Sequence, residues 1–189
     1  MEEKLKQEPA DCLKVVLFGP ESTGKTTLSR QLARYYNSVW VPEYAREYLQ
    51  NKWNNERKTC EAHDLLPIAE GQIKLENELA TKTDTVLICD TDLLETKVYA
   101  ETSYGGSCDS LLGKYAIENS YDLYLLTYID TPWEADDLRD KSDQRKEMFE
   151  AFEKALIAHK KPYVLIKGNK KKRLEVAVKH IDNLFKARK

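Results

Sequence analysis

Lys25 and Thr26 close the stretch Gly19-Pro20-Glu21-Ser22-Thr23-Gly24-Lys25-Thr26, a match to GxxxxGK[ST] that runs on into Thr27. Residues of these types at this spacing bind phosphate. Gly19 and Gly24 let backbone amides curl around an anion without side-chain obstruction. A helix beginning at the end of the loop would add free N–H groups and a partial positive charge. Lys25 suits the β and γ phosphates of a nucleoside triphosphate, and the Thr26 hydroxyl suits Mg²⁺ bridging them.

A bound triphosphate can be transferred, hydrolysed for work or used as a switch. A guanine-reading switch would need Asn-Lys-x-Asp, but Asn169-Lys170-Lys171-Lys172 lacks the aspartate, and Asp90 is followed by Thr91-Asp92-Leu93 rather than by Asp-x-x-Gly spacing. A motor ATPase commonly carries a carboxylate directly after its metal-associated aspartate, where this chain has Thr91. Transfer remains.

An acceptor hydroxyl needs a group that orients it and takes its proton. Glu43, after Val39-Trp40-Val41-Pro42, is a candidate base, with a helix-start carboxylate as the alternative. In LICDTDLLETK, Asp90 is the candidate Mg²⁺ ligand and a second candidate to assist the hydroxyl, while Asp92 is either a substrate contact or an N-cap. Arg139 and Arg145 lie in IDTPWEADDLRDKSDQRKEMF. As a lid over about 132–146, that segment would bring guanidinium groups onto the transferring phosphate; a solvated charged loop is the alternative. Trp40, Tyr44, Trp53 and Trp133 offer flat faces to a heterocycle, though such residues also fill cores, and Trp133 is the best placed to stack. Gly168 and Asn169, in Lys167-Gly168-Asn169-Lys170-Lys171-Lys172-Arg173, could line an adenine pocket.

These residues must be positioned by a scaffold. Val15 to Phe18, Ser38 to Val41, Val86 to Cys89, Leu123 to Tyr128 and Tyr163 to Ile166 are short apolar runs that read as buried strands. Helical stripes lie between and after them: Leu28, Leu32, Tyr35 and Tyr36; Phe149, Phe152 and Leu156; Leu174, Ala177, Val178, Ile181, Leu184 and Phe185. Right-handed βαβ units then give an α/β fold, a P-loop, nucleoside-kinase-like three-layer sandwich around a five-stranded parallel sheet, with the site at the strands' carboxyl ends.

With 189 residues and 41% hydrophobic content, the chain suits one core: a charged extension over 1–12 and a single domain over 13–189. Thirty basic against thirty-two acidic residues point away from nucleic acid, and no apolar run is long enough for a membrane span. Cys12, Cys60, Cys89 and Cys108 are scattered, as in a cytosolic protein, and the Cys60–His63 pair has no second pair to complete a zinc site.

FGPESTGKTTLSRQLA, WVPEYAREYL, the stretch from Asp64 to Gln72, CDTDLLETKVY, YDLYLL and PWEADDLRD, in this order from about Val15 to Arg173, resemble the ribosylnicotinamide kinase family. The resemblance implies ATP-dependent phosphorylation of the 5′-hydroxyl of nicotinamide riboside, with ATP and Mg²⁺ as cofactors and a small nucleoside as the only partner. It implies Gly19 to Thr27 as the phosphate cradle, Glu43, Tyr44 and Arg46 as a substrate-side motif, and Asp90 and Asp92 as an acidic motif. Trp133, Arg139 and Arg145 match its lid, and Arg173 a basic position near the adenine. Another nucleoside kinase and a non-catalytic ATP-binding domain remain alternatives. Some relatives carry adenylyltransferase or DNA-binding domains; the length of 189 residues and the lack of an HxGH signature around His63, His159 and His180 lead to the expectation that adenylyl transfer and operator binding are absent here.

Overall fold

The computed structural model describes residues 2–134 and 144–188. Five strands, β1 (Leu13–Phe18), β2 (Trp40–Val41), β3 (Val86–Cys89), β4 (Leu123–Thr127) and β5 (Tyr163–Ile166), form one sheet in the order β2-β3-β1-β4-β5. Every pairing is parallel. Seven helices accompany them among the described residues: α1 (Lys25–Tyr35), α2 (Tyr44–Glu56), α3 (Leu65–Ala80), α4 (Leu93–Ser103), α5 (Ser110–Glu118), α6 (Arg145–Ala158) and α7 (Lys170–Ala187).

Alternation along β1 sorts the layers. Leu13, Val15 and Leu17 pack with Leu28 and Leu32 of α1 and Ala177 and Ile181 of α7. Val16 and Phe18 face the other way, against Leu94 and Val98 of α4 and Phe149 and Phe152 of α6. A sheet buried on both faces explains why its inner strands read as unbroken apolar runs. None of the described helices is long and apolar enough to cross a membrane.

One expectation needs correction. The second strand is only Trp40–Val41 rather than Ser38 to Val41: it lies at the sheet edge, where only β3 pairs with it, through Ile88 and Cys89. The charged start of the chain is docked: Leu5 is 1% exposed in a satellite core with Ile73, Leu93 and Leu112, and Gln7 donates to Glu76 at 2.8 Å.

Register brings the chemistry together. Val41 pairs with Cys89, and the Asp90 amide donates to the Val41 carbonyl at 2.9 Å, so Glu43 and Asp90 leave neighbouring strand ends. Val16 pairs with Cys89 on one side of β1, and Phe18 with Leu126 on the other, so the loop after β1 opens between the ends of β3 and β4. The connections diverge at β1, the place where ligands bind in open α/β sheets.

Candidate active site

The loop after β1 is held from outside. Gly19 (φ +137°) passes so close to β4 that a Cβ there would stand 2.8 Å from Thr127 Oγ1 and 2.9 Å from the Thr127 carbonyl oxygen. The Thr23 hydroxyl meets both the Pro20 carbonyl and Thr127 Oγ1 at 2.7 Å. Thr131 Oγ1 donates to the Ser22 carbonyl at 2.8 Å, and the Glu134 amide donates to Ser22 Oγ at 2.7 Å. Gly24 (φ +83°) starts α1 without any side-chain cap, so the amides of that first turn are left for an anion.

Lys25 is buried and fully engaged. Its Nζ donates to the carbonyl oxygens of Gly19 (2.5 Å) and Pro20 (3.1 Å) and lies 3.1 Å from Glu95 Oε1. Burial works against its charge, but Glu95, Glu43 and Asp90 outweigh burial and raise its pKa, so the ammonium persists.

A cavity of about 640 Å³ opens above this loop, lined by Glu21 to Thr27. One wall carries Glu43 and Arg46 from α2 with Glu95 and Tyr99 from α4; the other carries Asp130 and Thr131 after β4 with Gly168, Asn169 and Arg173 after β5. Gly19 and Pro20 lie behind the lining and contribute the carbonyls that hold Lys25. A larger hollow of about 800 Å³ lies at the opposite end of the sheet, near Cys12, Lys14 and Asp122. There Lys14 is already paired with Glu76 at 3.0 Å, and no phosphate loop is near.

Asp90 is 1% exposed, and neither carboxylate oxygen has a hydrogen-bond partner among the described residues. Burial, then the charge of Glu43, push it up to about 7, with Thr26, Lys25 and Arg30 opposing. Glu95, absent from the sequence reading, is 3% exposed and is pushed by burial up to about 8 against the pull of Lys25. Its signal in the sequence was a carboxylate among Leu93, Leu94 and Val98 in a helix that buries most of its first two turns.

Arg173 is buried and braces the site rather than presenting a free cation: Nε donates to the Gly168 carbonyl at 2.8 Å, Nη1 to Thr23 at 2.6 Å, and Nη2 to Tyr128 at 2.9 Å and to Asp130. Burial works against the Asp130 charge, but the Gly168 amide and Arg173 outweigh it and hold the carboxyl below its usual range. Asn169 caps α7 through the Lys172 amide at 2.9 Å. Arg145 donates to the carbonyls of Thr131 (3.0 Å) and Ser22 (3.3 Å), and burial lowers its pKa. Arg139 lies outside the described residues.

Of the candidate substrate contacts, Trp40, Tyr44 and Trp133 are placed elsewhere, and Asp92 takes its alternative role as an N-cap. Asp92 is buried; Oδ1 accepts the Glu95 amide at 3.0 Å, which caps α4, and Oδ2 accepts the Tyr124 hydroxyl at 2.7 Å. Trp40 packs against the core beneath α1 with Arg30 over its ring at 4.6 Å. The Tyr44 ring covers Gly71, where a Cβ would come within 2.1 Å of it, and borders a separate hollow of about 380 Å³. Trp133 is half-buried under Arg145, 5.6 Å from its ring centroid, and is not on the cavity wall. Glu43 and Arg46 do reach that wall. Exposed Glu61 and His63 come together with buried Asp64, but Lys52 already neutralises both carboxylates at 2.8 and 2.5 Å.

Known proteins share this sequence pattern and fold. The AAA domain family model matches residues 14–173. The trifunctional NAD biosynthesis/regulator protein NadR of Escherichia coli is 30% identical over 135 residues, 70% of this chain and 33% of that protein. The chain thus spans about a third of the length of this curated relative. The crystal structure of NadR in complex with NR superposes with a TM-score of 0.73 at 23% identity, covering 91% of this chain and 50% of that one. Deoxyadenosine kinase from M. mycoides with bound dCTP gives 0.59 at 13% identity, covering 90% of this chain and 100% of that one. These superpositions show the α/β fold of P-loop nucleoside and nucleotide kinases. The chain therefore belongs to the AAA domain family and is a homologue of NadR.

Proposed function

We propose that this protein is an ATP-dependent nicotinamide riboside kinase, which moves the γ-phosphoryl group onto the 5′-hydroxyl to give nicotinamide mononucleotide. The observation that carries this reading is one cavity holding both halves of a transfer reaction. An uncapped helix start and Lys25 face an acidic wall formed by Glu43 and Glu95. The homology to NadR and the superposition on NadR bound to NR support nicotinamide riboside as the acceptor.

The loop amides and Lys25 hold the donor phosphates, and the wall of Gly168, Asn169 and Asp130 lies where the nucleotide's base and sugar continue. Glu43, Arg46 and Glu95 line the space left for the acceptor's hydroxyls. The unpartnered oxygens of Asp90 and the Thr26 hydroxyl are hard donors that fit Mg²⁺; they would hold the ion, which would supply positive charge to offset that of the phosphates. Arg145 ties Thr131 to Ser22 of the phosphate loop, which puts its guanidinium at the edge of the donor site.

A competition assay tests this. Purified protein with ATP, Mg²⁺ and an equimolar mixture of nicotinamide riboside and deoxynucleosides should phosphorylate the riboside first. Preferred turnover of a deoxynucleoside would make it a different nucleoside kinase.

A further inference from the structure

Among the described residues, buried carboxylates of two kinds occur. Away from the cavity both oxygens are engaged. Glu76 accepts from Gln7 and Lys14 on Oε1 and from Tyr121 on Oε2. Asp64 accepts from Tyr48 on Oδ1 and from Lys52 and the Glu61 amide on Oδ2. Asp92 accepts from the Glu95 amide and from Tyr124.

Glu95 differs. Oε1 faces Lys25 at 3.1 Å, while Oε2 is buried with no hydrogen-bond partner among the described residues. Leaving a buried acceptor unpaired is costly, so native structures satisfy nearly all of them, and an unpaired one on a cavity wall points to a donor that arrives with the ligand. Asp90 also has orphaned oxygens, but they lie with Thr26, where a divalent cation accounts for them.

We propose that Glu95 is the catalytic base of the transfer, with Oε2 accepting the hydrogen bond of the acceptor hydroxyl and then its proton. This rests on the kinase reading above. As the hydroxyl oxygen bonds to the γ-phosphorus, the bond from that phosphorus to the bridging oxygen breaks. ADP leaves with the electron pair, and the proton passes to Oε2. The placement follows from Oε1: the same carboxylate is held against the lysine that serves the γ-phosphate, so its other oxygen lies beside the reacting centre. Glu43 is half-buried at the start of α2 beside Arg46, a setting suited to the sugar's other hydroxyls. Burial moves Glu95 up to about 8, toward the range in which a carboxylate both accepts and releases a proton near neutral pH.

Steady-state kinetics of Glu95→Gln test this. The substitution keeps the side chain's shape and removes its basicity. The expected result is a fall in kcat of about 10²- to 10⁴-fold, the scale of a lost general base, with ADP still bound and the acidic limb of the kcat–pH profile gone. Glu95→Asp should keep that limb at reduced kcat, and it carries the comparison if the glutamine variant does not fold. A kcat for Glu95→Gln within about tenfold of wild type, or an acidic limb that survives Glu95→Gln and vanishes in Glu43→Gln, overturns the assignment. Wild-type protein that transfers phosphate to no nucleoside overturns the kinase reading, and the role of Glu95 falls with it. Wild-type transfer that Glu95→Gln leaves intact overturns only the role of Glu95.

Discussion

Arg173 donates from Nη1 to the Thr23 carbonyl oxygen at 2.6 Å, joining the first turn of α7 to the phosphate loop across 150 residues of chain. A carbonyl held in this way cannot turn toward an anionic ligand. The same guanidinium holds the Gly168 and Tyr128 carbonyls and Asp130, so the phosphate loop and the segments after β4 and β5 share one brace.

Arg173→Met should therefore weaken the protein twice. It leaves carbonyl groups and a carboxylate without their donor, which costs about 3 kcal/mol of stability for a pair that is only partly exposed on the Asp130 side. It also frees the loop. Calorimetric titration with ATP should show affinity lower by about tenfold or more, and Arg173→Lys should rescue little because an ammonium cannot span the same acceptors. Unchanged ATP affinity in Arg173→Met would remove the bracing role.

Two glycines with positive φ separate contact from conformation. Gly19→Ala drives a methyl group into Thr127 backbone and side chain, whereas Gly105 (φ +79°) has nothing within 4 Å of the new Cβ. Gly105→Ala should cost only the left-handed backbone penalty, about 1–2 kcal/mol. Gly19→Ala should cost more than that and abolish nucleotide binding. Chemical denaturation of both variants beside ATP titration decides; equal costs would mean that the loop can shift away from β4.

Much of this framework was legible in the sequence, and the reasons differ by element. β1, β3 and β4 are buried on both faces, so they appear as continuous apolar runs. The phosphate loop announces itself because glycine and lysine are required at fixed offsets. Glu95 was hidden because one carboxylate three residues after a capping aspartate looks like any exposed first-turn acid; only its depth in the fold distinguishes it. Tyr44 adjoins the wall residue Glu43 and Trp40 lies three residues before it, yet on a helix start and an edge strand nearby residues point in different directions, and the two rings meet Gly71 and Arg30. The docking of Leu5 left no periodic signal, since a single leucine among charged residues carries it.

That docking has a measurable consequence. Leu5→Ala removes a side chain that is 1% exposed between α3, α4 and α5, and should destabilise the protein by about 2–4 kcal/mol. Urea titration measures it. A change below about 0.5 kcal/mol, the level of an ordinary surface substitution, would show that the segment is dispensable.

Stability should also depend on pH in a defined direction. Burial raises Glu95 to about 8 and Asp92 to about 6, both above the values of the unfolded chain. Through these two groups the folded state binds more protons than the unfolded one, so their contribution to stability is fully present below the unfolded pKa values and is lost as pH rises through about 6 to 8, opposite in sign to that of Asp130. Lys25, shifted upward, keeps its charge across this window. Thermal melts of the ligand-free protein should fall over this range, and more shallowly in Glu95→Gln. Parallel slopes in the two proteins would contradict the origin assigned to the effect.

The central claim is that Lys25 and its loop hold a phosphoryl group beside a sugar hydroxyl. It is tested most directly by quantifying ADP and nicotinamide mononucleotide together in reactions of wild-type and Lys25→Met protein with ATP and nicotinamide riboside. The account predicts equal amounts of the two products from the wild type and a loss of at least about 10²-fold in both for the variant, since an electrostatic clamp on the transferring group is removed. Release of ADP without mononucleotide, or undiminished mononucleotide from Lys25→Met, would contradict it.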